Sequence, residues 1–239
     1  MGTLVSFADL PYRETARGVR RAAITGGDMK EMSADVIQLA PGAKVIESVP
    51  AGSDRYLFTL TGAATVSGRG TAHAMVEESL AVIQEGTELT VANPNGADTV
   101  LIDVLAPPPG SVEARPGFAG GLAVAARAMT PVHEVPSEKK RRIFFVGEEA
   151  APSERAHVMI VLYVPDTVTA LHMHPNAESM FVFLSGKTCF TLNGKDVVVR
   201  RGQATCLPRG DYHGLRVAEG QGVSFLEFHI PATYTTVRA

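Results

Sequence analysis

The chain has 239 residues, with 22 Lys and Arg against 25 Asp and Glu and a formal net charge of -3, so no basic field exists to draw in nucleic acid or an anionic membrane. Trp is absent and aromatic residues are 6%, which leaves few platforms for stacking single-stranded bases. A hydrophobic content of 45% supports a large core, yet no run of about 18 apolar residues is present to span a bilayer.

Residues 1–10 lack a basic region followed by a sustained apolar stretch, and Asp9 interrupts the one candidate, so no secretory signal is expected and a cytoplasmic location follows. Short apolar or alternating runs at 33–39, 56–60 and 99–104 read as strands separated by turn formers. Pro107, Pro108 and Pro109 cannot donate to a sheet ladder, so residues 106–111 read as the end of a domain and the start of a linker. Residues 117–127 admit one short helix. The basic run 139–142 reads as a solvated strand entry. Strands resume at 157–163, 180–184, 197–199 and 223–228, which makes the fold class all-β. Cys189 and Cys206 have no CxxC spacing and are expected to be free, packed thiols.

The chain repeats itself. At a constant offset of 124, Pro41 maps to Pro165, Gly62 to Gly186, Gly70 to Gly194, Gly86 to Gly210 and Gly96 to Gly220. Apolar character carries across at Leu57 and Phe181, Ile102 and Leu226, and Val104 and Phe228. Two copies of one β-domain are expected, because turn positions tolerate few substitutes whereas core positions need only volume. The expected boundaries are 1–106 for the first barrel, 107–139 for a linker and crossover, and 140–239 for the second barrel.

The second copy holds the chemistry. On a strand, residues two apart point to one face, so His172 and His174 present two imidazoles together. Glu178 follows a Pro-Asn-Ala segment that can reverse or bulge the chain, and His213 follows a Pro-x-Gly turn, so both can converge on the pair. Three imidazoles with a carboxylate suit a divalent transition metal and leave positions open for substrate, water or dioxygen. Arg209 and Tyr212 flank His213 and are candidates to orient a substrate, as catalytic residues. Glu227 and His229 share a face of the last strand and read as an outward-facing pair, the alternative being that they hold the tautomer of a ligating imidazole, and Met173, Met180 and Phe225 read as core.

These residues resemble the cupin superfamily. Its second motif, G-x5-P-x-G-x2-H, is matched by Gly202, Pro208, Gly210 and His213. Its first, G-x5-H-x-H-x(3 or 4)-E-x6-G, is met by His172, His174 and Gly186 with two departures. Asp166 stands at the first Gly, where the first copy has Gly42, and the longer spacing puts the carboxylate position at Ser179, one residue beyond Glu178. A one-residue shift turns a strand side chain to the other face unless a bulge absorbs it. The resemblance therefore leaves two ligand sets open: three histidines with Glu178, or three histidines alone, as some cupin thiol and diketone dioxygenases use. In the first copy the same positions are Ser48, Pro50, Asp54 and Leu89, so no metal is expected there.

The resemblance implies two jelly-roll β-barrels in tandem, a bicupin with metal only in the C-terminal barrel. The expected cofactor is Fe, Mn, Ni or Zn, the expected partner a small-molecule substrate, and the expected assembly a homodimer. The reading favours an oxygen-dependent dioxygenase acting on a small polar metabolite. Its alternatives are a non-redox hydrolase, isomerase or decarboxylase, similar to ureidoglycine aminohydrolases though without their Glu-x-His-x3-His pattern, or a non-catalytic metabolite-binding module.

Overall fold

The computed structural model describes residues 1–111, 114–147 and 150–239. Its Cα positions fall into two compact units, each built of antiparallel sheets facing one another across a core. No helix among the described residues is long and apolar enough to cross a membrane. Neither Cys189 nor Cys206 is in a disulfide, and the second is buried.

The first barrel takes in Leu10–Thr130 and Ala151–Arg155. Its larger sheet orders the strands Leu122–Ala126, Ser79–Ile83, Asp54–Thr61, Thr99–Ala106, Ser33–Leu39, Val19–Ala23 and Arg13–Ala16; the smaller orders Lys44–Ser48, Glu88–Ala92, Ala64–Gly68 and Thr71–Met75. Ile37 with Leu39, Ala81 with Ile83, and Leu89 with Val91 send alternate side chains into one core, as a period of two requires.

The second barrel takes in Met1–Asp9, Pro131–Ala150 and Ala156–Ala239. One sheet runs Thr3–Ser6, Gln203–Leu207, Glu178–Ser185, Val223–Ile230, His157–Tyr163, Lys140–Val146 and His133–Val135. The other runs Lys195–Arg200, Lys187–Leu192, His213–Val217, His172–Met173 and Val237–Arg238. Phe181 with Phe183, Leu215 with Val217, and Val223 with Phe225 fill its interior.

The internal repeat extends to the hydrogen-bond register. Four strands coincide in both bounds at the offset of 124: Ser33–Leu39 with His157–Tyr163, Asp54–Thr61 with Glu178–Ser185, Ser79–Ile83 with Gln203–Leu207, and Thr99–Ala106 with Val223–Ile230. Even the irregularity is copied, since the register slips between Val100 and Leu101 opposite Thr59 and Thr61, and between Phe183 and Ser185 opposite Ser224 and Phe225. Gly62 and Gly186 explain why that turn keeps its residue. At φ 80° and 72°, a Cβ would lie 2.8 Å from Asp98 O in one copy and 2.1 Å from Gly222 O in the other. Asp166, in place of the motif's first glycine, sits at φ 61° against 74° for Gly42, a left-handed conformation that Asp tolerates.

The unit boundaries differ from those read in the sequence. Residues 117–127 hold no α-helix; Leu122–Ala126 is a strand paired with Ser79–Ile83, followed by a 3-10 turn at Arg127–Met129. Most of the expected linker therefore belongs to the first barrel. Likewise Thr3–Ser6 pairs with Gln203–Leu207 and so belongs to the second. Both are edge strands whose sequence partners lie more than 30 residues away, so local pattern could not assign them.

Candidate metal centre

Two short pieces of backbone bring the histidines together. His172 opens the strand His172–Met173 and is paired directly with His213, the first residue of His213–Val217. His174 lies two residues on, and its carbonyl accepts from Gly210 N at 3.0 Å, which ties it to the Pro208–Asp211 turn. The ring centroids are 4.3 Å apart for His172 and His213, 5.3 Å for His172 and His174, and 5.2 Å for His174 and His213. One ring nitrogen from each lies within 4.8 Å of the others.

Each imidazole has its tautomer set by the main chain. His172 Nδ1 lies 2.8 Å from Ala170 O, His174 Nδ1 3.0 Å from Thr235 O and His213 Nδ1 3.1 Å from Asp211 O. A carbonyl only accepts, so Nδ1 carries the proton in all three and Nε2 keeps its lone pair. Burial holds the rings neutral: it lowers the pKa of His172, takes His174 to about 4, and takes His213, helped by neighbouring His172, to about 3. His213 Nε2 is buried with no hydrogen-bond partner. An orphaned buried nitrogen beside two others with matching lone pairs fits a divalent metal, and a site of three neutral imidazoles leaves coordination positions open.

The segment after Ile230 returns across this group. Val237–Arg238 pairs with His172–Met173, and Ala239 N donates to Leu171 O at 3.0 Å. Asn176 Nδ2 donates to Thr233 O at 3.1 Å and its Oδ1 accepts from Thr235 N at 2.8 Å, which fixes the carbonyl that orients His174.

Glu178 is not part of the cluster. On Glu178–Ser185, Phe181 and Phe183 enter the core and Ser179 Oγ meets His229 Nδ1 at 2.9 Å, so odd-numbered residues face inward. Glu178 has the opposite parity and lies beside Cys206, whose thiol pKa it helps to raise after burial, to about 12. No bulge rescues it: the register is regular from Glu178 to Phe183. The inward carboxylate comes instead from Glu227, paired opposite Phe181. Glu227 Oε1 accepts from His229 Nε2 at 2.8 Å; burial opposes its ionisation, but His229 holds its carboxyl down to about 2. Glu227 and His229, expected to face outward, thus both line the interior, with Tyr234 stacked on His229 at 3.8 Å. His157 packs beside His229 and is lowered to about 4, mainly by burial.

These groups surround a cavity of about 340 Å³ that reaches the three histidines, in the size range of small-metabolite sites. Met159, Phe181, Phe190 and Phe225 form apolar walls, so Phe225 serves both core and cavity, while Met180 is buried on the other face. Arg209 and Tyr212 do not line it. Tyr212 precedes inward-facing His213 and so points away, 39% exposed. Lys140 and Arg142 do line it: the basic run read as a solvated strand entry alternates, with Arg141 paired outside to Glu134 at 2.9 Å.

In the first barrel no comparable cluster occurs among the described residues. Leu89, the counterpart of His213, is packed in the core. Asp54, the counterpart of Glu178, is buried against Arg155 at 2.9 Å and accepts from Phe118 N at 2.7 Å.

Residues 159–229 match a family model described as Cupin domain. A search of curated proteins gave no match. Among solved structures, a glyoxylate-induced protein from Pseudomonas aeruginosa is 20% identical with a TM-score of 0.77, over 97% of this chain and 90% of that one. Oxalate decarboxylase from Lactobacillus farciminis, as a formate complex, is 14% identical with a TM-score of 0.76, over 98% and 88%. Bacillus subtilis oxalate decarboxylase, studied for its Mn(II) centers, is 15% identical with a TM-score of 0.75, over 98% and 78%. At these identities the likeness is one of fold.

Proposed function

We propose, from the premise that this chain belongs to the cupin superfamily, that it is a metal-dependent enzyme acting on a small polar metabolite, and that its reaction is an oxygen-dependent dioxygenation. The observation that carries this reading is the carbonyl bonded to Nδ1 of each of His172, His174 and His213, which leaves Nε2 unprotonated on three rings that each offer a nitrogen within 4.8 Å of the others. A divalent metal held there supplies Lewis acidity and, if redox-active, a route to dioxygen chemistry. The chain's own groups do the rest. Met159, Phe181 and Phe225 exclude water from one side, and Glu227, ionised and oriented by His229, can accept a substrate proton.

Glu227 also favours a second reading, a non-redox reaction such as decarboxylation or isomerisation, because a carboxylate fixed on the cavity wall by His229 can orient or shuttle a proton without an oxidant. Anaerobic loading with Fe(II), Mn(II), Ni(II) or Zn(II), then oxygen uptake against diketones, thiols, ureido compounds and hydroxy acids, separates the two. The dioxygenase reading expects oxygen consumed in step with substrate by the iron, manganese or nickel form only. Equal turnover by zinc-loaded protein without oxygen would overturn it. His172→Ala should lose metal and turnover while keeping its fold.

A further inference from the structure

Besides the three neutral imidazoles, the cavity is lined by three basic side chains. Lys140 and Arg142 point inward from alternate positions of Lys140–Val146, and Arg238 comes from the strand paired to His172. All three converge on one carboxylate. Lys140 is paired with Glu138, Arg142 Nη2 lies 3.9 Å from Glu138 Oε2, and the Lys140 hydrogen bond, with help from Arg142 and Arg238, holds the Glu138 carboxyl below its usual range. Glu138 is 48% exposed, whereas the Lys140 side chain is only 9% exposed. The one other carboxylate on these walls, Glu227, is bonded to His229. Three basic side chains thus line the cavity beside two carboxylates, and Arg142 Nε is buried with no acceptor. Interior cations are stable when paired and hydrogen-bonded, and a guanidinium fork matches a planar carboxylate. A substrate carboxylate would supply the acceptor that Arg142 Nε lacks.

We propose that Lys140, Arg142 and Arg238 form a carboxylate-binding subsite, so that the substrate is an organic acid whose far end reaches the three histidines with metal-chelating oxygens. This rests on reading those histidines as metal ligands. The substrate's body lies between, along Met159, Phe181 and Phe225. Arg238 also explains why the chain's last strand is bound to the strand of His172: it delivers a cation to the mouth of the cavity.

The test is calorimetric, on zinc-loaded protein of measured metal content, with probes that chelate alike and differ in the distal group. The pairs are 2-oxoglutarate against 2-oxopentanoate and malate against 2-hydroxybutanoate. The dicarboxylates should bind at least about tenfold tighter, the size of one charge-assisted hydrogen bond. Arg142→Gln and Arg238→Gln should each shrink that preference several-fold with zinc content and melting profile unchanged; Arg238 is exposed, so its replacement does not threaten folding. Equal affinity within each pair, no binding of any acid, or an undiminished preference in both variants overturns the subsite while leaving the metal reading intact. Failure of the wild-type chain to load zinc overturns both.

Discussion

Replacing His213 with Leu should disable the metal centre and stabilise the metal-free protein. His213 is 3% exposed and its Nε2 has no partner, while its counterpart in the first barrel, Leu89, packs in an ordinary core. Leaving a polar atom buried and unpaired costs about 1–3 kcal/mol, which Leu, of similar volume, removes. A second contribution depends on pH. Burial depresses the folded-state pKa to about 3 from 6.5, so the unfolded chain binds the proton more readily between those values and stability is lost as pH falls below 6.5. At pH 5 this loss is about 2 kcal/mol, at about 1.36 kcal/mol per unit. His213→Leu should therefore gain about 1–2 kcal/mol at pH 7.5 and about 3–4 kcal/mol at pH 5. Urea unfolding of chelator-treated wild type and variant at both pH values measures it, and added zinc should raise the wild-type midpoint alone. A variant less stable than metal-free wild type, or a gain that does not grow on acidification, would refute the reasoning.

Gly186→Ala drives a Cβ to 2.1 Å from Gly222 O at φ 72° and should cost about 2 kcal/mol or more by chemical unfolding. Gly194→Ala, with φ also 72° but open space around it, should cost about 1–2 kcal/mol, and equal losses would show that the close approach is relieved by backbone movement. Asp54→Asn removes the buried partner of Arg155, which keeps Glu85 at 3.0 Å; the first barrel should lose about 3 kcal/mol while metal content is unchanged. Lost metal would mean that the two barrels are coupled. Glu227→Gln should retain stoichiometric metal but lose turnover, and a variant with full activity would remove Glu227 from the chemistry.

The duplication was legible because its constraints are steric: Gly62 and Gly186 each sit where a Cβ meets a carbonyl, so the residue survives while the surrounding strands diverge. The three histidines were legible because the spacing of two brings their rings together and the third closes a turn motif. Inward and outward assignments were less so. Glu178 and Ser179 differ by one step of register, and only the pairing of Ser179 with His229 settles which of them faces the cavity. Glu227, Lys140 and Arg142 escaped for the same reason, since parity on a strand is set by its neighbours. Thr3–Ser6 and Leu122–Ala126 escaped because edge pairing is non-local and their own patterns are weak.

Anomalous diffraction from crystals of metal-loaded protein, recorded at the metal's absorption edge, tests the central claim most directly. A single peak per chain is expected, about 2.1 Å from Nε2 of each of His172, His174 and His213, with Glu178 remote from it. A peak ligated through Nδ1 or by Glu178, or one in the first barrel, would contradict the account.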